Sequence, residues 1–137
     1  MNRANSDRKK LVKKLDKVFS EFIRARDKRC VICGTTQNLQ CGHLFSRVAY
    51  STRWDELNCH GQCRNHNFLH ESDAYPFTDW FLRKFGKEKY DILHNRYANK
   101  AIIKNWELQM RITEFQKKLE KLKSGRDHMT TNGNWGL

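Results

Sequence analysis

The sequence contains only one proline, and it has no apolar run approaching the roughly 20 residues that a membrane-spanning helix requires. The missing run excludes the class of helical membrane proteins. The first ten residues, MNRANSDRKK, also lack the apolar segment of a signal peptide, so we expect the protein to act in the cytoplasm. The single proline, Pro76, lies where a new helix can begin, because proline is tolerated in a first helical turn.

Acidic residues are also scarce in this chain. The sequence has 15 of them against 27 lysines and arginines, which leaves a formal net charge of +12. A strongly basic chain favours a polyanionic partner, and nucleic acid is the commonest one. Solvated surface lysine is the alternative interpretation. Apolar residues make up 38% of the 137 residues, which is low but not a disordered composition, and the length suits one domain.

Helical periodicity flanks a central segment of different character. Apolar residues recur at spacings of four and three over residues 11–25 and again over 108–122. These two seams can pack on each other within one chain or across a homodimer. The pattern divides the chain into a flexible leader (1–6), a basic amphipathic helix with Asp7 as its N-cap (7–27), a central unit (28–73), a C-terminal helical region whose last helix covers 100–123 (74–123), and a flexible tail (124–137).

The central unit is rich in glycine, cysteine, histidine and asparagine. It predicts a short strand over 39–45, a second element after Arg53 and a helix opening within 63–71. We therefore expect an α+β fold that is mostly helical, with a small central zinc-stabilised ββα unit between the N-terminal helix and the C-terminal helices.

Two pairs of metal-ligand residues bracket this unit. Cys30 and Cys33 form a Cys-x-x-Cys knuckle, and Cys63 and His66 repeat the same spacing about thirty residues later. Three thiolates and an imidazole are a standard ligand set for a structural Zn²⁺. Buried thiols or a redox-active pair are the alternative interpretations. Of the two other cysteines, Cys41 and Cys59, we expect packing roles, and Cys59 could displace one of the chosen ligands.

The histidine and asparagine residues between and after these two ligand pairs follow a recognisable order. His43 comes first, then Asn58, and Asn67 directly follows the last zinc ligand. This order resembles that of the HNH, or ββα-metal, endonucleases. The resemblance implies phosphodiester hydrolysis with His43 as general base, because a neutral imidazole accepts a proton near pH 7. Asn58 would orient the imidazole, and Asn67 would help to hold one Mg²⁺ or Mn²⁺ ion.

The residue before His43 departs from that pattern. Many HNH enzymes place a metal-ligating aspartate or histidine there, whereas this chain has Gly42, which has no side-chain ligand. We predict that His60 replaces it, with Glu71 and Asp55 as further candidates.

Basic residues near the site are candidates for DNA contacts. Arg47 and Arg53 flank it, and guanidinium groups suit phosphate oxygens. Either arginine could instead pair with Asp55 for structural reasons. Lys13 and Lys17, on the predicted N-terminal helix, could follow the phosphate backbone or remain solvated.

A longer pattern narrows the resemblance. Gly42-His43, Arg47 and the run from Arg53 to Cys63 resemble the phage NinG/Rap recombination proteins over roughly residues 8–123. This implies a structure-selective endonuclease that acts on branched DNA, such as Holliday junctions and D-loops, in the cytoplasm of an infected bacterium. His66 departs from the fourth cysteine expected there. Two opposed cuts would suit a homodimer, for which the two heptad-like seams could supply the interface.

Two other functions remain open at this stage. The chain could be a non-catalytic zinc-knuckle protein that binds branched or single-stranded nucleic acid, and the glycine at position 42 favours that alternative. It could also be a zinc-stabilised adaptor for another protein. Loss of cutting without loss of binding in a His43→Ala variant would favour the enzyme.

Overall fold

The computed structural model of the protein describes residues 3–125. Over this range the chain is mostly helical with one small two-stranded antiparallel sheet, so its class is α+β. In chain order the elements are α1 (Arg3–Asp27), β1 (Leu39–His43), α2 (Tyr50–Arg53), β2 (Cys59–Cys63), α3 (Arg64–Leu69), α4 (Tyr75–Phe85), α5 (Lys87–Ala98) and α6 (Asn105–Lys123). None of the described helices is both long enough and apolar enough to cross a membrane.

The main core lies between α1 and α6, the first and last helices. Leu15 and Phe19 of α1 and Ile112 and Phe115 of α6 are buried there, and the Phe19 and Phe115 rings meet edge to face at 4.8 Å between centroids. The two predicted seams therefore pack on each other within one chain. The alternative in which the seams form a dimer interface is not the arrangement in this structure, because most of their apolar side chains are already buried within the chain.

The β1–β2 hairpin lies between this core and the other helices. Its register pairs Gly42 with His60 and His43 with Cys59. Since side chains alternate across a strand, His43 shares one face with Cys41 and Cys59, and Gly42 shares the opposite face with His60. Cys59 belongs to the α1–α6 core, so the His43 face is the one that packs toward α1.

A second, smaller core supports the opposite face of the hairpin. Phe77 and Phe81 of α4 and Leu93 of α5 pack there with Leu44 and Leu57. Pro76 lies in the first turn of α4, as the sequence predicted. The chain reverses between α4 and α5 at Gly86, whose φ of 90° is strained for residues with a side chain.

Several element boundaries differ from the predictions. Helix α1 begins at Arg3, so residues 3–6 are helical rather than a loose leader, and Asp7 lies inside the helix instead of capping it. Helix α6 begins at Asn105 and not at residue 100, because the Lys104 backbone N–H is capped by the Glu107 carboxylate at 3.2 Å. Apart from Ser124 and Gly125, the predicted tail lies outside the described residues.

Candidate functional site

Four potential metal ligands lie close together where the turn after α1 meets the end of β2 and the start of α3. The ligand atoms of Cys30, Cys33, Cys63 and His66 all lie within 4.8 Å of one another. The Cys63 sulfur is 3.3 Å from Nδ1 of His66 and 3.9 Å from the Cys33 sulfur. Three thiols and an imidazole arranged in this way can hold a metal such as Zn²⁺, whose structural sites take four ligands of these types.

Local backbone geometry explains how the cluster forms. Gly34 has a φ of 79°, and its N–H donates to the Cys30 carbonyl at 2.8 Å, which closes the turn that carries the first two cysteines. The Val31 N–H donates to the Gly61 carbonyl at 2.9 Å and ties this turn to β2. Cys63 also caps α3, so the helix start holds Cys63 and His66 one turn apart.

His43, the last residue of β1, is held in one orientation. Its Nε2 lies 2.9 Å from the Arg53 carbonyl oxygen, which can only accept, so Nε2 carries the proton and Nδ1 keeps its lone pair. Burial lowers the pKa of His43, and the nearby positive charges of Arg47 and Arg53 act in the same direction. A neutral imidazole with one unprotonated nitrogen is the form that a general base requires.

Asn58 makes no hydrogen bond to the His43 ring, contrary to the role that we predicted for it. Its amide oxygen accepts from the Phe45 N–H at 2.8 Å, and its amide nitrogen donates to the Phe45 and Thr52 carbonyls at 3.0 Å each. These bonds clamp the two ends of the loop between β1 and β2. The Arg53 carbonyl that accepts from His43 belongs to the residue directly after Thr52, so Asn58 holds the same stretch of backbone.

The space above Gly42 is occupied by amide oxygens from two other residues. A Cβ at position 42 would overlap Oε1 of Gln62 and would lie 3.1 Å from Oδ1 of Asn67. Gln62 is buried, and its Oε1 has no hydrogen-bond partner. The Asn67 amide nitrogen donates to Gln40 at 2.9 Å, which leaves its oxygen directed toward Gly42. Two hard oxygen donors thus converge on the space that a side chain at position 42 would occupy.

The prediction that His60 replaces the missing ligand is wrong. His60 is fully buried among the aromatic rings of α4, and both ring nitrogens are engaged. Nδ1 accepts from Arg26 at 3.1 Å, and Nε2 donates to the Leu57 carbonyl at 2.7 Å. Burial lowers the pKa of His60 well below its ordinary value, so it is a neutral core residue.

Asp55 is also unsuited to supply the metal ligand that Gly42 lacks. One carboxylate oxygen accepts from the Leu57 N–H at 2.9 Å, and the other accepts from Arg96 at the same distance.

The two arginines predicted to bind DNA share one carboxylate that we did not predict, Asp16. Arg53 donates to both oxygens of Asp16, at 2.6 Å and 3.0 Å, and its side chain is only 14% exposed. The Trp54 indole N–H donates to the same carboxylate at 2.9 Å. Arg53 is therefore a structural residue and is not available to phosphate. Arg47 also pairs with Asp16 at 3.0 Å, but its side chain is 59% exposed and can reach a ligand.

Asp16→Asn is expected to lower the free energy of unfolding by about 2–3 kcal/mol, because it removes a charged acceptor from Arg53 and Trp54. Burial raises the pKa of Asp16, but the hydrogen bonds and charge of Arg53 outweigh burial and hold the pKa below its ordinary value. Such a carboxylate stabilises the fold above its unfolded-state pKa and loses that contribution as the pH falls through the folded-state pKa. Urea unfolding at neutral pH and below about pH 4 measures both effects.

The matched control for this prediction is Asp91→Asn, which removes an exposed helical ion pair with Lys87. We expect it to change stability by less than about 0.5 kcal/mol. Equal effects of the two substitutions, or a pH dependence of unfolding that Asp16→Asn leaves unchanged, would contradict the role given to Asp16.

An open groove of about 820 Å³ runs along the free edge of β1 and is lined by several of the candidate site residues. One wall is α1 and the other is α3, and the lining includes Asp16, Cys41, His43, Arg47, Asn67, His70 and Glu71. Glu71, a predicted cation ligand, is exposed and shares this groove with Asn67. Lys13 lies in an adjoining hollow that also contains Asp16, whereas Lys17 is exposed and lines neither.

Sequence reasoning missed two residues of the site, Asp16 and Gln62. Asp16 is one of four acidic residues on the lysine-rich helix α1, and nothing in the sequence separates it from the other three as a site residue. Gln62 is one residue before a metal-ligand cysteine, and only the strand register shows that it shares a face with Gly42.

Comparison with known proteins agrees with the resemblance to the phage NinG proteins. Residues 2–125 match the family model described as "Bacteriophage Lambda NinG protein". Proteins named "Protein ninG" from Escherichia phage 933W and Escherichia phage lambda are each 29% identical over 126 residues. The alignments cover 84% of this chain but 59% and 58% of those two proteins, so the chain spans about three fifths of the length of these curated relatives. No solved structure matches the chain.

Proposed function

The chain belongs to the NinG family of bacteriophage proteins, and on that premise we propose that it is a metal-dependent DNA endonuclease of the HNH type. Its substrates would be branched recombination intermediates such as Holliday junctions and D-loops, in the cytoplasm of the infected bacterium. One observation carries the proposal. A neutral, oriented His43 and the amide oxygen of Asn67 lie beside one open groove, and the buried oxygen of Gln62 converges with that of Asn67 on Gly42, the residue before His43.

The hairpin and α3 supply the framework for this activity. In the proposal, β1, β2 and α3 form a ββα unit, and a structural Zn²⁺ held by Cys30, Cys33, Cys63 and His66 fixes where α3 begins. The helix is only six residues long, so it needs such an anchor to hold Asn67 in place. The zinc cluster would therefore set the position of the oxygen donors without touching the substrate.

The oxygen donors beside Gly42 fit the preference of a hard divalent cation. Asn67 and Gln62 would hold Mg²⁺ or Mn²⁺ through their amide oxygens, and the exposed carboxylate of Glu71 lines the same groove as Asn67. When bound, the cation would supply positive charge to the scissile phosphate and to the leaving oxygen. Burial of a polar oxygen without a hydrogen-bond partner, such as Oε1 of Gln62, costs free energy. A cation bound to that oxygen would supply the missing partner.

His43 would move the proton. Nδ1 has the free lone pair that can accept a proton from the attacking water, while the Arg53 carbonyl holds Nε2–H and fixes the plane of the ring. That carbonyl also stabilises the imidazolium that forms when the proton arrives. Asn58 is a positioning residue, since it clamps the loop that carries the carbonyl.

The charge of the chain supports DNA as the substrate. A net charge of +12 suits a phosphate backbone, and the exposed Arg47, Lys13 and Lys17 are proposed to contact it without reading sequence. Productive resolution of a junction requires two opposed cuts, which suits a twofold homodimer. Such a dimer would have to use a surface other than the α1–α6 seam, which is buried within one chain.

Removal of either oxygen donor tests the cation site. Asn67→Ala and Gln62→Ala are each expected to weaken Mn²⁺ binding by roughly 10–100-fold, because loss of a ligand costs at least as much as loss of an outer-shell partner. Electron paramagnetic resonance of free Mn²⁺ measures the affinity directly. Cleavage of DNA in Mg²⁺ should fall in parallel in both variants, while DNA binding should remain.

Asn65→Ala is the matched control, since it makes the same change at an exposed position of the same helix. It should leave both Mn²⁺ affinity and cleavage at wild-type levels. Mn²⁺ affinity that is unaffected at both Asn67 and Gln62 would contradict the proposed ligand set.

A further inference from the structure

A second cluster of metal-ligand side chains lies on the opposite face of the hairpin from Gly42. The sulfurs of Cys41 and Cys59 and one ring nitrogen of His43 all lie within 4.8 Å of one another. The strand register explains this, because His43 is directly opposite Cys59 and Cys41 is two residues away on the same face. The cluster shares no residue with the Cys30–His66 cluster, and Cys59 stands at the other end of β2 from Cys63.

The chemistry of the donors selects the kind of cation. Two thiols and an imidazole suit a soft or borderline ion such as Zn²⁺ or Cd²⁺, whereas Mg²⁺ prefers oxygen ligands. Three protein ligands leave a fourth tetrahedral position open, as in zinc sites that also bind water. Cys41 and His43 line the open groove while Cys59 is buried, so an ion can enter the site from the groove.

We propose that Cys41, His43 and Cys59 form a second, thiophilic metal site, and that a zinc-class ion bound there removes His43 from the reaction. Binding displaces the thiol protons of Cys41 and Cys59, which pass to solvent through the groove. A metal bound to His43 also prevents the ring from adopting the role of proton acceptor. This second half of the proposal rests on the proposed function, while the site itself does not.

Cadmium–thiolate absorbance tests the site without any measurement of cleavage. Charge-transfer absorbance counts sulfur ligands and ignores an ion held by oxygen donors alone. With Cd²⁺ in excess and a non-thiol reductant, the wild-type chain should show thiolate absorbance from all five cysteines rather than from the three of the first cluster. Cys41→Ser and Cys59→Ser should each lower the absorbance and release bound Cd²⁺ from the second site.

Cys41→Ser is the more informative variant, because Cys41 is only half-buried and its replacement disturbs the core less than that of Cys59. Thermal unfolding of both variants shows whether each still folds. Wild-type absorbance that stops at the level of three thiolates would overturn the proposed site.

The inhibitory role requires a separate measurement on the zinc-loaded protein. Cleavage in Mg²⁺ should fall by about 10²-fold or more when further Zn²⁺ is added to the wild type, since the contribution of a general base is lost. Cys41→Ser, compared with its own rate before addition, should resist the same zinc. Five thiolates together with equal inhibition of both proteins would overturn the inhibitory role. Five thiolates in a chain that never cuts DNA would leave the site standing and remove the proposed nuclease function.

Discussion

His43→Ala is expected to lower Mg²⁺-dependent DNA cleavage by about 10²–10⁴-fold, the usual contribution of a general base. DNA affinity should stay near the wild-type value, because the His43 side chain is half-buried and its Nε2–H is engaged by the Arg53 carbonyl. Single-turnover cleavage and a filter-binding measurement on the same DNA separate the two effects. The substitution leaves the charged groove-lining residues in place, so a loss of binding is not expected.

His94→Ala is the matched control, since His94 is exposed on α5 and lies outside the groove. It should cut at the wild-type rate. If the two variants cut equally well, His43 is not the base. If His43→Ala loses binding and cutting together, the residue supports the fold or the interface and not the proton transfer.

Removal of zinc is the second change for which we expect a large effect. Structural zinc contributes roughly 10–16 kcal/mol of apparent binding free energy in small zinc-binding units, where it is also folding free energy. In this chain the loss of stability should be confined to the region from Cys30 to His66. The Cys30–His66 cluster joins the turn after α1 to the start of α3 in that region. Helices α1 and α6 should keep their structure, since their shared core contains none of the four ligands.

Hydrogen exchange read by mass spectrometry, before and after a chelator, checks this regional response. Amides of β1, β2 and α3 should lose protection, those at the centres of α1 and α6 should keep it, and added Zn²⁺ should restore the original pattern. Cys63→Ser should reproduce the chelated state without a chelator, because Cys63 is both a cluster residue and the cap of α3. Uniform protection with and without zinc would show that the cluster does not stabilise this region.

The helical frame could be predicted because it follows from apolar periodicity. The spacing of Leu15 and Phe19 against that of Ile112 and Phe115 was enough to identify two matching seams. Periodicity did not show whether the partner seam lay in the same chain, since that depends on the path of the intervening residues. The start of α1 was also missed, because the polar residues before Asp7 have no apolar pattern although they continue the helix.

The cluster of Cys30, Cys33, Cys63 and His66 could be predicted as a whole, because these four potential metal ligands stand at characteristic spacings. The other candidate site residues could be predicted only in part. His43 and Asn67 lie by the groove as expected, but the roles of His60 and Gln62 depend on which face of β2 each occupies. Strand register fixes those faces, and the sequence specifies no register when cysteine, glycine and polar residues alternate without a clear apolar side.

The Asp16 network shows a different limit of sequence reasoning. The position of Arg53 beside the site predicts a phosphate contact, yet its guanidinium is held by a carboxylate 37 positions earlier in the chain. Such long-range pairs follow from the tertiary packing of α1 against the hairpin loop. Neither the spacing nor the type of these residues predicts them.

Cleavage of DNA by the wild-type protein tests the central claim most directly. A four-way junction, a flap, a linear duplex and a single strand, labelled at one end, would be incubated with the zinc-loaded protein in Mg²⁺ and, separately, in Mn²⁺. We predict metal-dependent nicks that are strongest in the branched DNAs and absent when the divalent cation is omitted. Tight binding to the same DNAs with no cutting in either cation would contradict the account, and would assign the chain to zinc-knuckle proteins that recognise branched nucleic acid without hydrolysing it.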